Sequence, residues 1–514
     1  MSEPVFVACD MGTTLVKAAV IDLSGRVLGS ASVPSRLDRP SPGVIEQDLL
    51  EIEQQARTAI ARAVEQSGRA ADIAGVSFSS QMAGIGAVGE DFLPTAPFDS
   101  WLDSRCSRDV YEMAPSAGRI TEIAGCPPSY SHGTKIRWMQ RERPEEYART
   151  VAFQVPGPYV AARLAGLPAS EAFIDRPNLC FSNLSDTDRG VWSEELIELF
   201  GVDGSKLPRI VESTEIIGTV SDEASRATGI PEGVPIAAGG GDQVIAALGA
   251  GVVAPGRASD SAGTASLFSM GLDRWGPDTE RMAMVTATSV IPGLYLSFSF
   301  VNGGGLGPEW VRGTIVDHRG TADQAFADLE HLANQVPAGS DGLIWLPHFQ
   351  GGVLPPKPYL RSGWVGLTSG HSRGHLYRSV LEGIAYQYAE WADRAPAITG
   401  KQLTEVRAMG GGAKSDLWVS IKADVLGVPV VRMQKSECAL LGNALVAAAA
   451  TGHVTDIAAT IDSWHELGEP VQPDPSRHAV YRRYVEVFDE LAKQVDPTFR
   501  RLQEISEEIS GAAH

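Results

Sequence analysis

Short β-rich runs alternate with helical runs along this chain, and that alternation most constrains what it can fold into. The first thirty-three residues predict three strands joined by tight turns, at 5–9, 15–22 and 26–33. Apolar residues then recur at three- and four-residue steps over 45–63, which predicts a helix, and 73–79 predicts a buried strand. Because the alternation continues, the sequence predicts an α/β fold.

A similar strand–turn–strand segment recurs about half a chain later. Asp10 opens the turn Asp-Met-Gly-Thr, and Ser261 opens the turn Ser-Ala-Gly-Thr. The recurrence indicates two similar halves, with the Gly/Pro-rich stretch 249–256 as the boundary. We therefore expect two domains, 1–250 and 251–514.

The last part of the chain predicts a charged helix over 476–510, broken or kinked at Pro497. An apolar stripe runs along its first part, at Tyr481, Tyr484, Val487, Phe488 and Leu491. The stripe is typical of a helix that packs on a domain surface.

Composition excludes several classes of function. The 514 residues carry a net charge of −20 and contain no long basic run, which argues against a nucleic-acid or anionic-membrane surface. The five cysteines include no CxxC, which fits a reducing compartment and gives no zinc signal. The N-terminus shows no secretory signal, and the most apolar stretch, 234–254, contains Asp242 and many glycines. We expect a cytoplasmic protein.

The first turn has the residues of a phosphate-binding hairpin. Gly12 lets the backbone approach a phosphate chain, and Thr13 and Thr14 add hydroxyl and N–H donors. Lys17 supplies positive charge, and Asp10 is a candidate ligand of Mg²⁺. The alternative is an ordinary hairpin.

Two further glycine turns are candidates for nucleotide contacts. The turn at Ser261 would clamp phosphates by the same logic as the first. Three consecutive glycines, Gly410, Gly411 and Gly412, follow a β-like run and offer a flat surface on which an adenine ring could lie. The alternative is a flexible turn before a helix, and the absence of GxGxxG spacing argues against a dinucleotide-binding fold.

A carboxylate follows another glycine run, where a helix is predicted to begin. Asp242 comes directly after 239–241 and precedes the apolar run 244–248. Such a residue can accept the proton of an attacking alcohol, because phosphoryl transfer needs little more than positioning, Mg²⁺ and one proton acceptor. The alternative is an N-cap aspartate.

Polar residues around one tryptophan suggest a polyol pocket. They lie in the segments 80–82 and 101–105, and comprise Gln81, Asp103 and Arg105, with Trp101 as the aromatic residue. Paired donors and acceptors beside an aromatic face suit a sugar. The alternative is a surface salt bridge between Asp103 and Arg105, with a core tryptophan.

The ordered set of motifs resembles the FGGY family of carbohydrate kinases, within the actin-like ATPase superfamily. The order is D-x-G-T, S-x-Q-x-x-G, W-x-D-x-R, G-G-x-D-Q, S-x-G-T and G-G-G-x-x-S. Segments 362–367 and 375–382 resemble the pattern of the family's second domain, and 130–140 is a looser match. The resemblance covers roughly residues 5 to 450.

The resemblance implies two actin-like (ribonuclease H-like) domains, with ATP and sugar in a central cleft. It implies that Asp242 is the general base and that Asp10 and Asp242 hold Mg²⁺. The residues implied to contact ATP are Asp10, Gly12, Thr13, Thr14, Lys17, Gly263, Thr264, Gly411, Gly412, Ser415 and Asn443. Those implied to contact the sugar are Gln81, Met82, Trp101, Asp103, Arg105, Asp242 and Gln243.

The acceptor pocket departs from the pattern of the xylulose and gluconate kinases. Those enzymes usually carry His where this chain has Ala83, and Asn where it has Leu102. His132 either replaces the missing histidine or lies on the surface. We expect phosphorylation of a pentulose such as xylulose, with erythritol, ribulose, gluconate and glycerol as alternatives.

Two other classes of function compete with the kinase. A chaperone-like ATPase would share the phosphate hairpins, but it would not need the set from Gln81 to Arg105. A degenerate kinase that senses sugar would not need every ATP motif, and here all are present. The family includes dimers, so a homodimer is compatible with the resemblance.

Overall fold

A computed structural model of the chain describes residues 3–263, 265–315, 321–394, 396, 398, 401–435 and 437–511. Its strands are β1 (Val5–Met11), β2 (Leu15–Asp22), β3 (Val27–Pro34), β4 (Glu46–Gln47), β5 (Ile73–Ser80), β6 (Gly86–Val88), β7 (Phe98–Asp99), β8 (Ala152–Gln154), β9 (Phe173–Asp175), β10 (Ser185–Asp186), β11 (Val191–Trp192), β12 (Arg209–Val211), β13 (Ile216–Thr219), β14 (Pro235–Ala237), β15 (Gly240–Gly241), β16 (Arg257–Ala262), β17 (Ser266–Leu272), β18 (Val285–Thr288), β19 (Tyr295–Val301), β20 (Ile344–Leu346), β21 (Gly363–Val365), β22 (Glu405–Gly410) and β23 (Val430–Arg432). Its α-helices are α1 (Leu49–Ser67), α2 (Ser107–Met113), α3 (Ala117–Ala124), α4 (His132–Glu142), α5 (Pro144–Arg149), α6 (Pro156–Ala165), α7 (Glu194–Phe200), α8 (Asp222–Thr228), α9 (Asp242–Gly249), α10 (Leu306–Trp310), α11 (Ala322–Asn334), α12 (Arg373–Ala392), α13 (Asp416–Leu426), α14 (Cys438–Ala450), α15 (Ile457–Trp464) and α16 (Pro475–Gly511).

The chain divides into two compact units. Unit 1 contains Met1–Ala254, Asp273–Ser297 and Glu437–His465, and unit 2 contains Pro255–Leu272, Phe298–Ser436 and Glu466–His514. The first change of unit lies close to the expected boundary at 250/251. The chain then enters unit 1 twice more, so each unit is assembled from segments that are distant in sequence.

The main sheet of unit 1 has the order β13-β14-β5-β1-β2-β3, with β15 also paired to β5. Its core follows from the alternation of side chains along β1. Val5, Val7 and Cys9 lie in the buried cluster that includes residues of α1, whereas Phe6 and Ala8 lie in the cluster that includes residues of α14. Both faces of the sheet are therefore covered by helices, as in α/β proteins.

The main sheet of unit 2 contains the strands β19-β17-β16-β22-β23 in that order. β16 and β17 are antiparallel, whereas β22 runs parallel to both β16 and β23. Phe268 of β17 stacks on Tyr388 of α12, with ring centres 5.0 Å apart. The sheet is thus anchored to a long helix by buried aromatic rings.

Most local elements expected from the sequence are confirmed. β1, β2, β3 and β5 occupy the predicted strand positions within one or two residues. The first helix begins at Leu49 rather than Ile45, because the Asp48 carboxylate accepts a 2.8 Å hydrogen bond from the Leu50 backbone N–H and caps it.

The C-terminal helix differs from expectation in two ways. It continues through Pro497 without a break. Val487 of the predicted stripe is exposed, whereas Val485 is buried together with Tyr481 and Phe488. Among the residues that the structure describes, no helix is both long and apolar enough to cross a membrane.

Candidate active site

Three parallel strands of unit 1 bring distant motifs to one edge of the sheet. Asp10 of β1 lies beside Ser79 of β5, and Gly240 of β15 lies on the other side of Ser79. Gln81 and Asp242 directly follow β5 and β15. Since the carboxyl ends of parallel strands meet at one edge, three predicted site residues lie close together.

Asp242 is the first residue of α9 and lies one position after the N-cap. The N-cap is Gly241, which makes no side-chain capping bond, so the N-cap alternative is wrong. The preceding glycines fit this chain path closely. A Cβ on Gly239, at φ +77°, would lie 1.9 Å from the Phe78 carbonyl oxygen, and a Cβ on Gly241 would lie 2.4 Å from Met82 Cε.

Asp10 and Asp242 are both half-buried, and both titrate above the usual range. Burial, reinforced by the negative charge of Asp10, raises the pKa of Asp242 to about 8, although hydrogen bonds from Gln243 oppose the rise. Burial raises the pKa of Asp10 to about 6, against the lowering effects of a Ser79 hydrogen bond and the Lys17 charge. Two buried carboxyl groups whose pKa values are raised suit a hard divalent cation such as Mg²⁺, which favours their ionised forms. Within the described ranges, no cluster of three or more His, Cys, Asp or Glu has metal-ligand geometry, so a cation here would depend on these two carboxylates, water and phosphate oxygens.

The hairpin after Asp10 is closed by its own backbone. The Gly12 N–H donates to the Leu15 carbonyl at 3.0 Å, and Thr14 is exposed. Lys17 Nζ lies 2.7 Å from a Glu437 carboxylate oxygen, with both side chains partly exposed. The Lys17 ammonium is therefore at the surface, where an exchange of Glu437 for a phosphate would cost little.

Trp101 connects two of the predicted motifs. Its indole N–H donates to Thr13 Oγ1 at 2.9 Å, and its ring is half-buried. The core-tryptophan alternative is therefore wrong, since this side chain borders the phosphate hairpin.

Asn443 lies in unit 1 and is fully buried. Its Nδ2 donates to Ser79 Oγ at 2.7 Å and to the Cys9 carbonyl at 3.2 Å. Ser79 Oγ in turn donates to Asp10 Oδ1 at 2.6 Å. In this structure the buried Asn443 side chain orients Ser79 and, through it, Asp10, so contact of Asn443 with adenosine stays a prediction.

Gln81 is held from two sides beside the carboxylate pair. Its side-chain Nε2 donates to Gln47 Oε1 at 2.6 Å, and its backbone N–H donates to the Met11 carbonyl at 3.1 Å. Its Oε1 is buried and has no hydrogen-bond partner among the described residues. Such an acceptor normally requires a donor, so Gln81 fits a residue that receives a ligand hydroxyl.

Asp103 and Arg105 form the ion pair of the alternative interpretation, but it is buried rather than superficial. Asp103 is only 2% exposed, and its Oδ2 accepts the Ile45 N–H at 2.8 Å. Arg105 also contacts Asp99 and Glu46 at 2.6 and 2.8 Å. In this structure these side chains hold one another, so contact of Asp103 with an acceptor stays a prediction.

His132 is buried, which excludes the surface interpretation. It is 2% exposed, its Nε2 lies 3.5 Å from the Met82 carbonyl oxygen, and burial lowers its pKa to about 4. Met82 itself is buried against Gly241. His132 and Met82 therefore support the segment that precedes Asp242 rather than line an open surface.

The sequence reasoning missed Asp175, a fully buried carboxyl group behind the same glycines. Asn178 donates to it through its backbone N–H at 3.1 Å and its Nδ2 at 2.7 Å. Burial raises the pKa of Asp175 to about 7, while hydrogen bonds from Asn178 and the Gly241 backbone lower it. The available signal was an Asp-x-Pro-Asn capping pattern directly after a short β-run.

In unit 2, the two predicted nucleotide turns also lie at one sheet edge. β16 and β22 are parallel, with Ala262 opposite Gly410. Gly263 follows β16, and the nearest atom to a Cβ placed there would be 3.9 Å away. Thr264 lies outside the described residues. The Gly263 turn therefore presents open backbone beside the glycine run.

The three glycines after β22 play different parts. Gly410 adopts φ +76°, and a Cβ on Gly412 would lie 2.5 Å from the Ala262 Cβ. A Cβ on Gly411 would meet only ordinary contact, so this residue leaves the surface flat without being sterically required. Ser415 Oγ accepts the Trp418 N–H at 3.0 Å and caps α13, so its side chain already has a structural partner.

A second missed residue is Asp260, just before the Ser261 turn. Lys422 Nζ donates to one of its oxygens, and Tyr388 Oη donates to the other at 2.8 Å. Asp260 and Lys422 are fully buried, and the Lys422 ammonium lies 4.0 Å from the Trp418 ring centre. This cluster fixes the base of the turn to α12 and α13.

Models of both domains of one family match the chain: the N-terminal domain of the FGGY family of carbohydrate kinases at residues 5–249, and its C-terminal domain at 258–451. The chain belongs to the FGGY family of carbohydrate kinases. A xylulose kinase of Staphylococcus epidermidis is 25% identical over 96% of this chain and 97% of its own length. A glycerol kinase of Aromatoleum aromaticum is 31% identical over 93% and 96%. The crystal structure of a xylulose kinase from Rhodospirillum rubrum is 26% identical, with a TM-score of 0.88 over 96% of this chain and 99% of that one.

These findings confirm the expected family and the two-domain actin-like ATPase fold. They also confirm that the chain is a carbohydrate kinase, an enzyme that transfers a phosphoryl group to a sugar-class alcohol. The relatives differ in the acceptor that their names give, so the names set the reaction class and leave the acceptor open.

Proposed function

We propose that this kinase transfers the γ-phosphoryl group of ATP to a terminal hydroxyl of a pentulose such as xylulose, with Asp242 as general base. The observation that carries the proposal is the environment of Asp242. Its carboxyl is half-buried at the first position of α9, one residue after the N-cap, and burial raises its pKa to about 8. A general base works best when its pKa lies near the working pH.

The chemistry asked of these residues is modest. Asp242 accepts the proton of the acceptor hydroxyl as its oxygen attacks the γ-phosphorus, and ADP leaves with the electron pair of the broken bond. Ser79 and Asn443 hold Asp10 in place, so the two carboxylates keep a defined spacing. Asp10 and Asp242 would hold Mg²⁺, which when bound neutralises phosphate charge.

The proposed nucleotide contacts are positions where the backbone is sterically open or where a side chain carries a hydrogen-bond donor or a positive charge. Thr13, Thr14 and Lys17 would border the phosphate chain, and Gly263 with Thr264 would meet the β- and γ-phosphates. Gly411 and Gly412 would border the adenosine, with Ser415 fixing the start of the helix that follows them. The open backbone at Gly263 and the flat surface at Gly411 support this assignment.

The acceptor pocket is proposed around Gln81 and Trp101. The unpaired Gln81 Oε1 is available to a sugar hydroxyl, and Trp101 offers an aromatic face next to the hairpin. The pentulose is favoured because xylulose kinases match nearly the whole chain in both sequence and structure.

A smaller polyol such as glycerol is the second candidate. Ala83 and Leu102 remove polar groups from the pocket, and the glycerol kinase of Aromatoleum aromaticum is 31% identical to this chain. A smaller acceptor presents fewer hydroxyls and needs fewer partners.

A coupled assay of ADP release across acceptors tests the proposal. Xylulose, ribulose, erythritol, glycerol and gluconate are compared with a reaction that contains ATP and Mg²⁺ but no acceptor. We expect the highest kcat/KM with a ketopentose. A higher kcat/KM for glycerol would select the second candidate. If no acceptor stimulated ADP release, both the pentulose and the glycerol candidates would be contradicted.

A further inference from the structure

A hydrogen bond joins the proposed acceptor pocket to the proposed phosphate hairpin. The Trp101 indole N–H donates to Thr13 Oγ1 at 2.9 Å, although the two residues are 88 positions apart in the chain. Both side chains are half-buried, so each has a packed part and a part that a ligand can reach. Under the proposed function, this bond therefore lies between the acceptor and the phosphate chain of ATP.

The chemistry of the two groups fixes the direction of the bond. An indole nitrogen can only donate a hydrogen bond, whereas a hydroxyl group donates one and accepts up to two. Thr13 Oγ1 therefore accepts from Trp101, and its own proton remains available to a third group. A hydroxyl that accepts one hydrogen bond becomes a stronger donor in the next. Because phosphate oxygens are acceptors, Trp101 prepares Thr13 to donate to them.

A buried lysine holds the turn that carries Trp101. Lys135 is 1% exposed, and its Nζ donates to the carbonyl oxygens of Ser100 and Asp103, both at 2.9 Å. The Asp103 N–H also donates to the Ser100 carbonyl at 2.9 Å and closes the turn. The backbone on both sides of Trp101 is thus fixed. A ligand that packs on the indole therefore acts on the side chain and its bond to Thr13, and does not displace a loose loop.

We propose that the Trp101–Thr13 bond couples the two binding sites, so that an acceptor packed on the Trp101 ring strengthens the binding of ATP at Thr13. The inference rests on the proposed function, in which Trp101 borders the acceptor and Thr13 borders the phosphates. An acceptor on the ring limits its rotation, so less side-chain entropy is lost when the indole holds Thr13 in place. Coupling between two ligands is reciprocal, so bound ATP strengthens acceptor binding by the same factor.

Calorimetry of nucleotide binding with and without an acceptor measures this coupling. The probe is the Mg²⁺ complex of β,γ-imido-ATP, which cannot transfer its terminal phosphoryl group. It is titrated into the protein alone and into the protein saturated with D-xylulose or glycerol, whichever stimulates ADP release more. The ratio of the two dissociation constants is the coupling factor, and we expect about tenfold for the wild type. A purely structural change alters both constants together and leaves this ratio unchanged.

Variants of both partners separate the bond from the ring and from the fold. Trp101→Phe keeps an aromatic ring but removes the N–H, and Thr13→Val keeps the shape but removes the hydroxyl. Either variant should lower the coupling factor to below about threefold, since one hydrogen bond is lost. The double variant should lose no more coupling than either single variant, because the same bond is removed in each. Thr13→Ser keeps the hydroxyl and should keep the coupling.

Trp192→Phe is the matched control. Trp192 is also a half-buried tryptophan of unit 1, and its N–H donates to the Pro208 carbonyl at 2.9 Å. This variant should keep the wild-type coupling factor. A wild type without coupling, or Trp101→Phe coupled as strongly as wild type, would overturn the inference while phosphoryl transfer to the acceptor still stood. If neither D-xylulose nor glycerol bound, the proposed function and this inference would both be contradicted.

Discussion

The β1–β2 hairpin of unit 1 and the β16–β17 hairpin of unit 2 share one local topology, an antiparallel pair whose first strand has a parallel neighbour. Each first strand carries an aspartate near its end, but the surroundings differ. Asp10 is half-buried, and burial raises its pKa to about 6. Asp260 is fully buried and paired with Lys422 and Tyr388.

The difference distinguishes a hairpin that carries a candidate reactive carboxyl group from one whose aspartate has a structural role. In unit 1 burial raises the pKa of both Asp10 and Asp242, and the charge of Asp10 raises that of Asp242 further, so ionising these carboxyl groups without a ligand destabilises the fold. In unit 2 the charge of Asp260 is neutralised by the protein itself, so the acid can only hold the turn. Under the proposed function, the hairpin therefore forms the reactive edge in unit 1 and has a structural role in unit 2.

Breaking the buried pair in unit 2 should give the largest effect on stability. Lys422→Met leaves Asp260 as an uncompensated buried charge, and we expect a loss of about 3–5 kcal/mol in the free energy of unfolding. Urea denaturation followed by tryptophan fluorescence measures it. The double variant Asp260→Asn/Lys422→Met should recover a large part of the loss, whereas Arg119→Met, at an exposed ion pair, should change nothing measurable. A single variant as stable as the double one would contradict the scaffold role.

Removing the negative charge of Asp242 should raise the stability of the fold, whereas breaking the pair in unit 2 lowers it. The pKa of Asp242 is about 8 in the folded chain, against an ordinary value of 3.8. At a pH between these two values, the folded state holds a proton on Asp242 that the unfolded state has released. The contribution of Asp242 to wild-type stability therefore falls as the pH rises from 4 to 8. Without ligands, Asp242→Asn should be more stable than wild type at pH 8 by on the order of 2 kcal/mol, allowing for screening, and equal to it near pH 4. A pH-independent difference in melting temperature would show that charge is not the cause.

Loosening the support of Asp10 should give the smallest effect. Ser79→Ala removes the 2.6 Å hydrogen bond to Asp10 and should cost about 1 kcal/mol of stability. It should also raise the pKa of Asp10 further. As the pH is lowered, Asp10 becomes protonated and holds Mg²⁺ less well, so the KM for Mg-ATP should begin to rise at a higher pH in the variant than in wild type. Ser205→Ala, at an exposed turn of unit 1, serves as the control. An unchanged pH profile of KM would mean that Ser79 does not tune Asp10.

Local chemistry in the sequence was enough to predict the hairpins and the start of α9. The residue types in the turn after Asp10 and in the glycine run before Asp242 determine the local backbone geometry, so both motifs appear where expected. The buried face of α16 was harder, because Val485 and Val487 are equally apolar and only the packing partner decides which is buried.

Residues defined by long-range contacts could not be placed from sequence. Asn443 was assigned to the nucleotide because it follows a glycine turn. The segment 437–465 returns to unit 1, where Asn443 donates a hydrogen bond to Ser79, the residue that holds Asp10. Asp260 was missed for the same reason, since its partners Tyr388 and Lys422 lie far along the chain. Asp175 was missed although its partner Asn178 is only three residues away. Gln81 and Asp103 were predicted as site residues, but no local pattern predicts their hydrogen bonds with Gln47 and Ile45.

The turnover of Asp242→Asn tests the central claim most directly. The variant should fold, keep a near-normal KM for Mg-ATP, and phosphorylate the preferred acceptor about 10³-fold more slowly, because a lost general base typically costs between 10²- and 10⁴-fold. Asp222→Asn is the matched control, since Asp222 is also the first residue of a unit 1 helix but is exposed. A slow Asp242→Asn beside a normal Asp222→Asn is the predicted result, and near-wild-type turnover of Asp242→Asn would contradict the account.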